Sequence, residues 1–162
     1  MIRPVAEGDV DEVLELIHHL AEYERSASSV LTDRELLEAA LFCDSPRVFG
    51  HVAERDGRLV GMAIWFVTFS TWTGHHGIYL EDLYVRPEVR GQGIGNSLLA
   101  ELAALAHREH YTRIEWSVLD WNEPALAFYR SIGAQPMDDW TVYRLRGDAL
   151  GSLAVGAAER PA

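Results

Sequence analysis

The sequence predicts an α/β fold: a mixed, mostly antiparallel central sheet flanked by helices, in the order α-α-β-β-β-α-β-α-β after a short N-terminal strand. Three features carry this expectation. Two segments of helical period come before any clear strand, an Asp-Gly pair divides two strand-like runs, and the second half alternates helix and strand signals.

Asp9, with Glu12 one turn on, has the form of a capping box, and Val10, Val13, Leu14, Ile17 and Ala21 recur at helical spacing, so a first helix is expected to run to Glu24. Thr32 and Glu35 repeat that start before Leu36, Leu37, Ala40 and Leu41, and Asp44-Ser45-Pro46 ends the second helix. Val48 to Arg55 and Arg58 to Ser70 flank Asp56-Gly57, a pair that supplies the positive φ angles of a type I′ turn, so these runs read as a hairpin. Gly77 to Val85 carries Ile78, Leu80, Leu83 and Val85 and reads as a buried strand. Glu81 and Asp82 lie inside it, and two adjacent carboxylates in an apolar strand require an explanation. Gly91 to Gly95 lead into a long helix with Ile94, Leu98, Leu102 and Leu105 on one face, ending near His110. Arg113 to Leu119 is the next strand, Glu123 to Ile132 a short helix closed by Gly133, and Thr141 to Arg146 the expected last strand. One domain over residues 1–147 is expected, followed by an Ala/Gly-rich tail, 148–162, that has no aromatic anchors and reads as loosely held.

Composition narrows the function. The chain has 162 residues, with 14 Lys+Arg against 25 Asp+Glu and a net charge of −11. A protein that neutralises phosphates along a nucleic acid needs the opposite balance, so no nucleic-acid partner is expected and small cations suit the surface better. The single cysteine, Cys43, excludes an intrachain disulfide and fits a reducing compartment. Met1-Ile2-Arg3-Pro4 opens no apolar leader and the longest apolar run, Leu59 to Val67, is too short to cross a bilayer, so the expectation is a cytoplasmic protein without membrane association.

Two segments carry chemistry. Arg90-Gly91-Gln92-Gly93-Ile94-Gly95-Asn96 stands between a strand and a long helix, where the first-turn N–H groups have no partner within the helix and the dipole is positive. Alternate glycines let a pyrophosphate approach such backbone closely, and Arg90 could add a charged contact. Glycines kept for tight packing alone are the plain alternative. A Walker A loop is excluded because no Gly-Lys-Ser/Thr follows, and the last glycine comes one position too early for a dinucleotide fingerprint, although Glu115 falls where a ribose-binding acid would stand. The second segment, Trp121-Asn122-Glu123-Pro124-Ala125 through Phe128-Tyr129 to Gly133, is a compact helix with a polar start and a proline in its first turn. Asn122 and Tyr129 are about two helical turns apart, so a ligand beside this helix could touch both. A cap and a core aromatic are the plain reading of the same pair.

Taken together, the Gly-rich turn opening a helix and the later Asn122-Glu123-Pro124-Ala125 with Phe128-Tyr129 and Gly133 resemble the GNAT superfamily of N-acetyltransferases. Leu20-Ala21-Glu22-Tyr23-Glu24, the aromatic stretch Phe66 to Trp72, Tyr79-Leu80-Glu81-Asp82-Leu83 and the run Glu115 to Tyr129 resemble its diamine (spermidine/spermine) acetyltransferase branch. The resemblance spans roughly residues 2 to 147, and Gln135 to Trp140 and the tail depart from it. It implies a GNAT-like sheet, acetyl-CoA as co-substrate, no metal, and a homodimer. It also implies transfer of an acetyl group to a primary amine of a small cationic substrate, which could be a polyamine, a diamine or a lysine-like amine.

The resemblance further implies roles for individual residues. Backbone N–H groups of Leu83, Tyr84 and Val85 would face the acetyl carbonyl. Arg90, Gly91, Gln92, Gly93, Ile94, Gly95 and Asn96 would hold the pyrophosphate, and Asn122, Glu123, Pro124 and Ala125 would border the pantetheine arm. Tyr129 would protonate the departing thiolate, since a phenol of ordinary pKa ≈ 10 is still protonated at pH 7. Glu81 would gather the amine and relay its proton, with Asp82 sharing that role. Strand alternation sends the two carboxylates to opposite faces, so one of them is expected to act. Tyr23, Glu24, Glu115, Trp116 and Ser117 would shape the acceptor pocket, where carboxylates and aromatic faces suit ammonium groups. Two other classes stay open: a non-catalytic acyl-CoA-binding module of the same fold, and a dinucleotide-dependent oxidoreductase.

The histidines give only pairs, such as His107 with His110 on a solvent face, where a metal needs three or four converging ligands. Cys43, beside Phe42, reads as a small buried hydrophobe, and no Gly-x-Ser-x-Gly occurs.

Overall fold

The computed structural model describes residues Met1–Ala158. The chain divides into two compact units, Met1–Leu119 and a second that begins at Asp120. The first holds β1 (Ile2–Pro4), α1 (Val10–Tyr23), α2 (Arg34–Phe42), β2 (Phe49–Arg55), β3 (Arg58–Ser70), β4 (His75–Val85), α3 (Ile94–Arg108) and β5 (Ile114–Trp116). The second holds α4 (Glu123–Ser131) and α5 (Gly147–Ala158).

The strands form one sheet in the order β1-β2-β3-β4-β5, antiparallel throughout except for the parallel pair β4–β5. This is the mixed, helix-flanked sheet expected from the sequence. Asp56 and Gly57 both take left-handed angles, φ 52° and 75°, as a two-residue hairpin turn requires. On one face of the sheet, Val10, Val13 and Leu16 of α1 and Leu37 and Leu41 of α2 bury against Val52, Leu59, Met62, Ile64 and Tyr84. Burying each of the larger side chains stabilises the fold by about 1.5–3 kcal/mol. α3 packs on the opposite face. At Gly61, one position along β3 from Met62, a Cβ would stand 3.4 Å from Leu98 and Ile94 of α3 and 2.9 Å from the Tyr84 carbonyl, so this approach admits only glycine.

Several local expectations are corrected. Asp9 does not cap α1 with its side chain. Its carboxylate accepts from the Ala6 N–H at 2.8 Å and pairs with Arg3 at 2.6 Å, tying β1 to the turn before α1. Glu12 reaches across to accept from the Leu59 N–H at 2.9 Å. α2 starts one residue later than Thr32 suggests, with Asp33 accepting from the Leu36 N–H at 2.9 Å. Cys43 is exposed: it is the extended residue that ends α2, already turned off the face that carries Leu37 and Leu41.

The largest departure lies in the second unit. Thr141 to Arg146, expected as the last strand, forms none, and Val142 and Tyr143 are 81% and 93% exposed. An alternating pattern becomes a strand only where a neighbouring edge takes up its backbone groups, and no ladder includes this segment. The tail that follows carries α5, because the Ala and Leu between Gly147 and Ala158 are strong helix formers. At the start of α4, the Asn122 side chain accepts from the Ala125 N–H at 3.4 Å, with Pro124 in the first turn, where a missing N–H is harmless.

Candidate active site

The Gly-rich turn is built from backbone. A short turn, Pro87–Val89, carries the chain out of β4, and Gly91 and Gly93 then take φ 75° and 81°. Gly93 is the N-cap of α3 and offers no side chain to its first turn, and the helix's own bonding begins with Ser97 N–H to the Gly93 carbonyl at 2.9 Å. No atom lies within 4 Å of where a Cβ would stand at either glycine. The glycines are therefore required by their angles and leave free space before the helix start. A 15-residue helix with such an opening presents N–H donors and a positive dipole end to an anion, which fits a diphosphate.

β4 supplies the second part. It pairs with β3 from Gly61↔Val85 to Ile64↔Asp82, and then the register slips so that Trp65 faces Leu80, leaving Glu81 as an extra residue. β5 pairs with β4 only at Ile78, Tyr79 and Leu80, so among the described residues no strand lies beside the β4 edge from Glu81 to Val85. The bulge explains both why β5 is only three residues long, shorter than the expected Arg113 to Leu119, and why the edge holding Leu83, Tyr84 and Val85 stays open.

The same bulge breaks the register between the two carboxylates, with Glu81 as the unpaired residue. Glu81 is exposed, whereas Asp82 pairs with Ile64, whose side chain belongs to the α1 face. Burial, then the charges of Glu81 and Glu24, push the Asp82 carboxyl up to about 6. Glu24, directly after α1, is itself raised by burial. Glu24, Glu81 and Asp82 thus form one acidic cluster, drawn from the end of α1 and the bulge of β4. Mutual repulsion among them is relieved by a bound cation.

Beside it lies an aromatic pair. The Arg90 guanidinium carbon stands 4.9 Å from the Tyr23 ring centre and 5.5 Å from that of Tyr84, and its Nε donates to the Val85 carbonyl at 2.8 Å. Gln92 accepts from Arg55 at 2.8 Å. On β5, Glu115 pairs with Arg113 at 2.7 Å and Trp116 faces Leu80, and just after the strand Ser117 shares a 2.8 Å hydrogen bond with the Tyr79 hydroxyl. Glu115 is thus engaged by the arginine that directly precedes its strand, and the charges acting on Asp82 are Glu81 and Glu24. In the second unit, Tyr129 lies on α4, half-buried, its ring 5.3 Å from that of Phe128. Glu123 and Ala125 occupy the first turn that Asn122 caps. Among the described residues no group of three or more His, Cys, Asp or Glu is placed to hold a metal ion, and no helix is long and apolar enough to cross a membrane.

Sequence reasoning missed Arg86. It is 3% exposed, donates from Nε to the Leu59 carbonyl at 2.8 Å and pairs with Glu15 at 3.0 Å, fixing the exit of β4 against α1 and the hairpin. Nothing in the local pattern marks it, since its partners are distant in the chain.

Comparison with known proteins gives a consistent picture. The profile of the acetyltransferase (GNAT) family matches residues 13–134. A thialysine N-epsilon-acetyltransferase from Bos taurus is 38% identical over 165 residues, covering 95% of this chain and 96% of the relative. Spermidine/spermine N(1)-acetyltransferase-like protein 1 from Homo sapiens is 32% identical over 164 residues, which cover 94% of this chain and 23% of that protein. An integron cassette protein from the mobile metagenome of V. cholerae has a solved structure that superposes with a TM-score of 0.79 at 26% identity, covering 95% of this chain and 96% of that one.

Proposed function

Because this chain belongs to the GNAT family of acetyltransferases, we propose that it transfers the acetyl group of acetyl-CoA to a primary amine of a small cationic substrate by direct attack. The observation that carries this reading is the Glu24, Glu81 and Asp82 cluster next to the open edge of β4, upstream of a helix start suited to a diphosphate. Relatives named for thialysine and for spermidine/spermine support a lysine-like amine, a diamine or a polyamine as acceptor.

Acetyl-CoA, when bound, supplies the thioester acyl group. The amides of Gly91 to Asn96 hold its diphosphate, Asn122 to Ala125 border its pantetheine arm, and N–H groups of the Leu83 to Val85 edge donate to the carbonyl oxygen as charge develops there. Glu24 and the exposed Glu81 draw in the ammonium. An alkylammonium has a pKa near that of lysine, ≈ 10.4, so only about 1 in 10³ molecules is a free amine at pH 7. Asp82, with its carboxyl near 6, takes the proton that must leave, directly or through Glu81 and water, because a base works best when its pKa lies near the working pH. The neutral nitrogen forms the new C–N bond while the C–S bond breaks, and the Tyr129 hydroxyl gives its proton to the sulfur. The second nitrogen proton passes to solvent and the phenol is restored from water, so the net release is one proton. A homodimer in the cytoplasm completes the proposal, supported by the diamine-branch resemblance and the single cysteine.

Incubation with acetyl-CoA and a panel of amines, read by release of free thiol, tests this. Thiol release that depends on spermidine, a diamine or a lysine analogue is the expected result. Acetyl-CoA binding without turnover of any amine would mark a non-catalytic acyl-CoA module instead.

A further inference from the structure

The site contains a contact that diphosphate binding does not explain. Arg90 opens the Gly-rich turn, yet its guanidinium lies over the rings of Tyr23 and Tyr84, at 4.9 and 5.5 Å, and its Nε–H is taken by the Val85 carbonyl at 2.8 Å. Tyr23 is the last residue of α1, and Glu24 follows it. Immediately beyond, Arg25 has a left-handed backbone at φ 59°, a conformation that costs a non-glycine residue free energy and persists where surrounding contacts hold it. The helix closes over it through Ser26 N–H to the Ala21 carbonyl at 2.8 Å. The end of α1 is therefore a strained segment, and it carries one of the carboxylates that act on Asp82.

We propose that Arg90 is a positioning residue for the amine site: by gripping Tyr23 and Tyr84 it holds the end of α1, and with it Glu24, against Asp82. This assignment rests on the acceptor site proposed above and moves Arg90's side chain from the coenzyme to the amine. A guanidinium suits the task because its flat face stacks on rings while its edge donates to a carbonyl, and an ammonium lacks both the plane and the Nε–H. Phosphate binding has no such requirement, since lysine serves there as a point charge.

The substitution Arg90→Lys separates the two roles, measured as amine KM and kcat at saturating acetyl-CoA and as acetyl-CoA affinity by calorimetry. Arg90→Lys and Tyr23→Leu are each expected to raise amine KM about fivefold, with kcat and acetyl-CoA Kd within about twofold of the parent, as loss of a cation–π contact predicts. The double variant Arg90→Lys with Tyr23→Leu is no worse than the poorer single one, because both remove one contact. An unchanged amine KM in Arg90→Lys, a tenfold rise in its acetyl-CoA Kd, or a double variant whose rise in amine KM is the product of the two single ones would overturn the assignment. Should the parent protein turn over no amine, the functional reading fails by itself and thermal melting decides the clamp. A double variant melting with the poorer single variant supports the clamp, and additive losses refute it.

Discussion

The Gly-rich turn and the acidic bulge stand at either end of the same stretch of β4, and they are made of different material. The turn consists of backbone: Gly91 and Gly93 at positive φ, an uncapped helix start, and free space in front of it. The bulge works through side chains whose properties come from neighbours, as when burial, Glu81 and Glu24 together lift Asp82. A site of backbone donors sets affinity for the ligand it grips, whereas a site of perturbed carboxylates sets protonation during the reaction. Substitutions in the turn are therefore expected to change binding of the co-substrate, and substitutions of acid–base side chains to change turnover.

The largest effect on turnover is expected from Tyr129→Phe, which removes one oxygen and leaves the ring. General acid catalysis contributes roughly 10²- to 10⁴-fold, so kcat is expected to fall by about 10² or more while acetyl-CoA affinity by calorimetry is retained. Near-parental turnover would take Tyr129 out of the chemistry.

Asp82→Asn comes next, with a loss of about 10² in kcat at pH 7 and no change in acetyl-CoA affinity. In the parent, kcat/KM for the amine is expected to rise as pH passes upward through about 6, where the Asp82 carboxylate forms, and this step is absent from the variant. Stability supplies an independent check. The folded-state carboxyl titrates near 6 against an ordinary value of 3.8, so the folded form binds the proton more tightly. The contribution of this group is fully present below pH 3.8 and is lost as pH rises through about 6. Relative to the parent, Asp82→Asn should thus gain about 1–3 kcal/mol between pH 4 and pH 7.5 in denaturant titrations. A parent curve as flat as that of the variant would show that Asp82 is not perturbed.

This contrast also decides what was legible in the sequence. Positive φ angles demand glycine, so the Asp56-Gly57 hairpin and the Gly91–Gly93 turn announce themselves, and helical periods place α1 and α3. The bulge at Glu81 leaves no such mark, because an extra residue in a strand looks like any other until its partner strand is known. Strict alternation therefore gives no sign that the register slips at Glu81. The grip of Arg90 on Tyr23 and the fixing of Arg86 by Glu15 join residues far apart in the chain, which no local window contains. Thr141 to Arg146 fails in the opposite direction: its alternation is a true strand pattern, but a strand is a property of a pair.

At the turn, Gly93→Ala adds a methyl group that meets no protein atom within 4 Å, so its effects come from the backbone angle and from the space where a diphosphate would approach. A left-handed alanine costs about 1 kcal/mol, which should lower the melting temperature by a few degrees. Acetyl-CoA Kd is expected to rise about tenfold, with kcat at saturation within about twofold. A collapse of kcat with unchanged Kd would erase the division between the two regions.

The smallest effect tests how the acidic cluster divides its work. Glu81 is exposed, and exposed charges interact weakly through water and salt, by about 1 kcal/mol or less. Removing its charge in Glu81→Gln should raise amine KM about threefold and weaken the dependence of KM on ionic strength. The change should be larger for a polyamine than for a monoamine, because more ammonium groups then meet the same field. The variant should also move the pH step of kcat/KM to lower values, since Glu81 is the first charge acting on Asp82 after burial, and removing it lets Asp82 ionise more readily. A pH step that stays in place while KM rises would mean that Glu81 gathers the amine without acting on Asp82. Loss of turnover approaching that of Asp82→Asn would instead make Glu81 the proton acceptor and leave Asp82 as the residue that holds the cation.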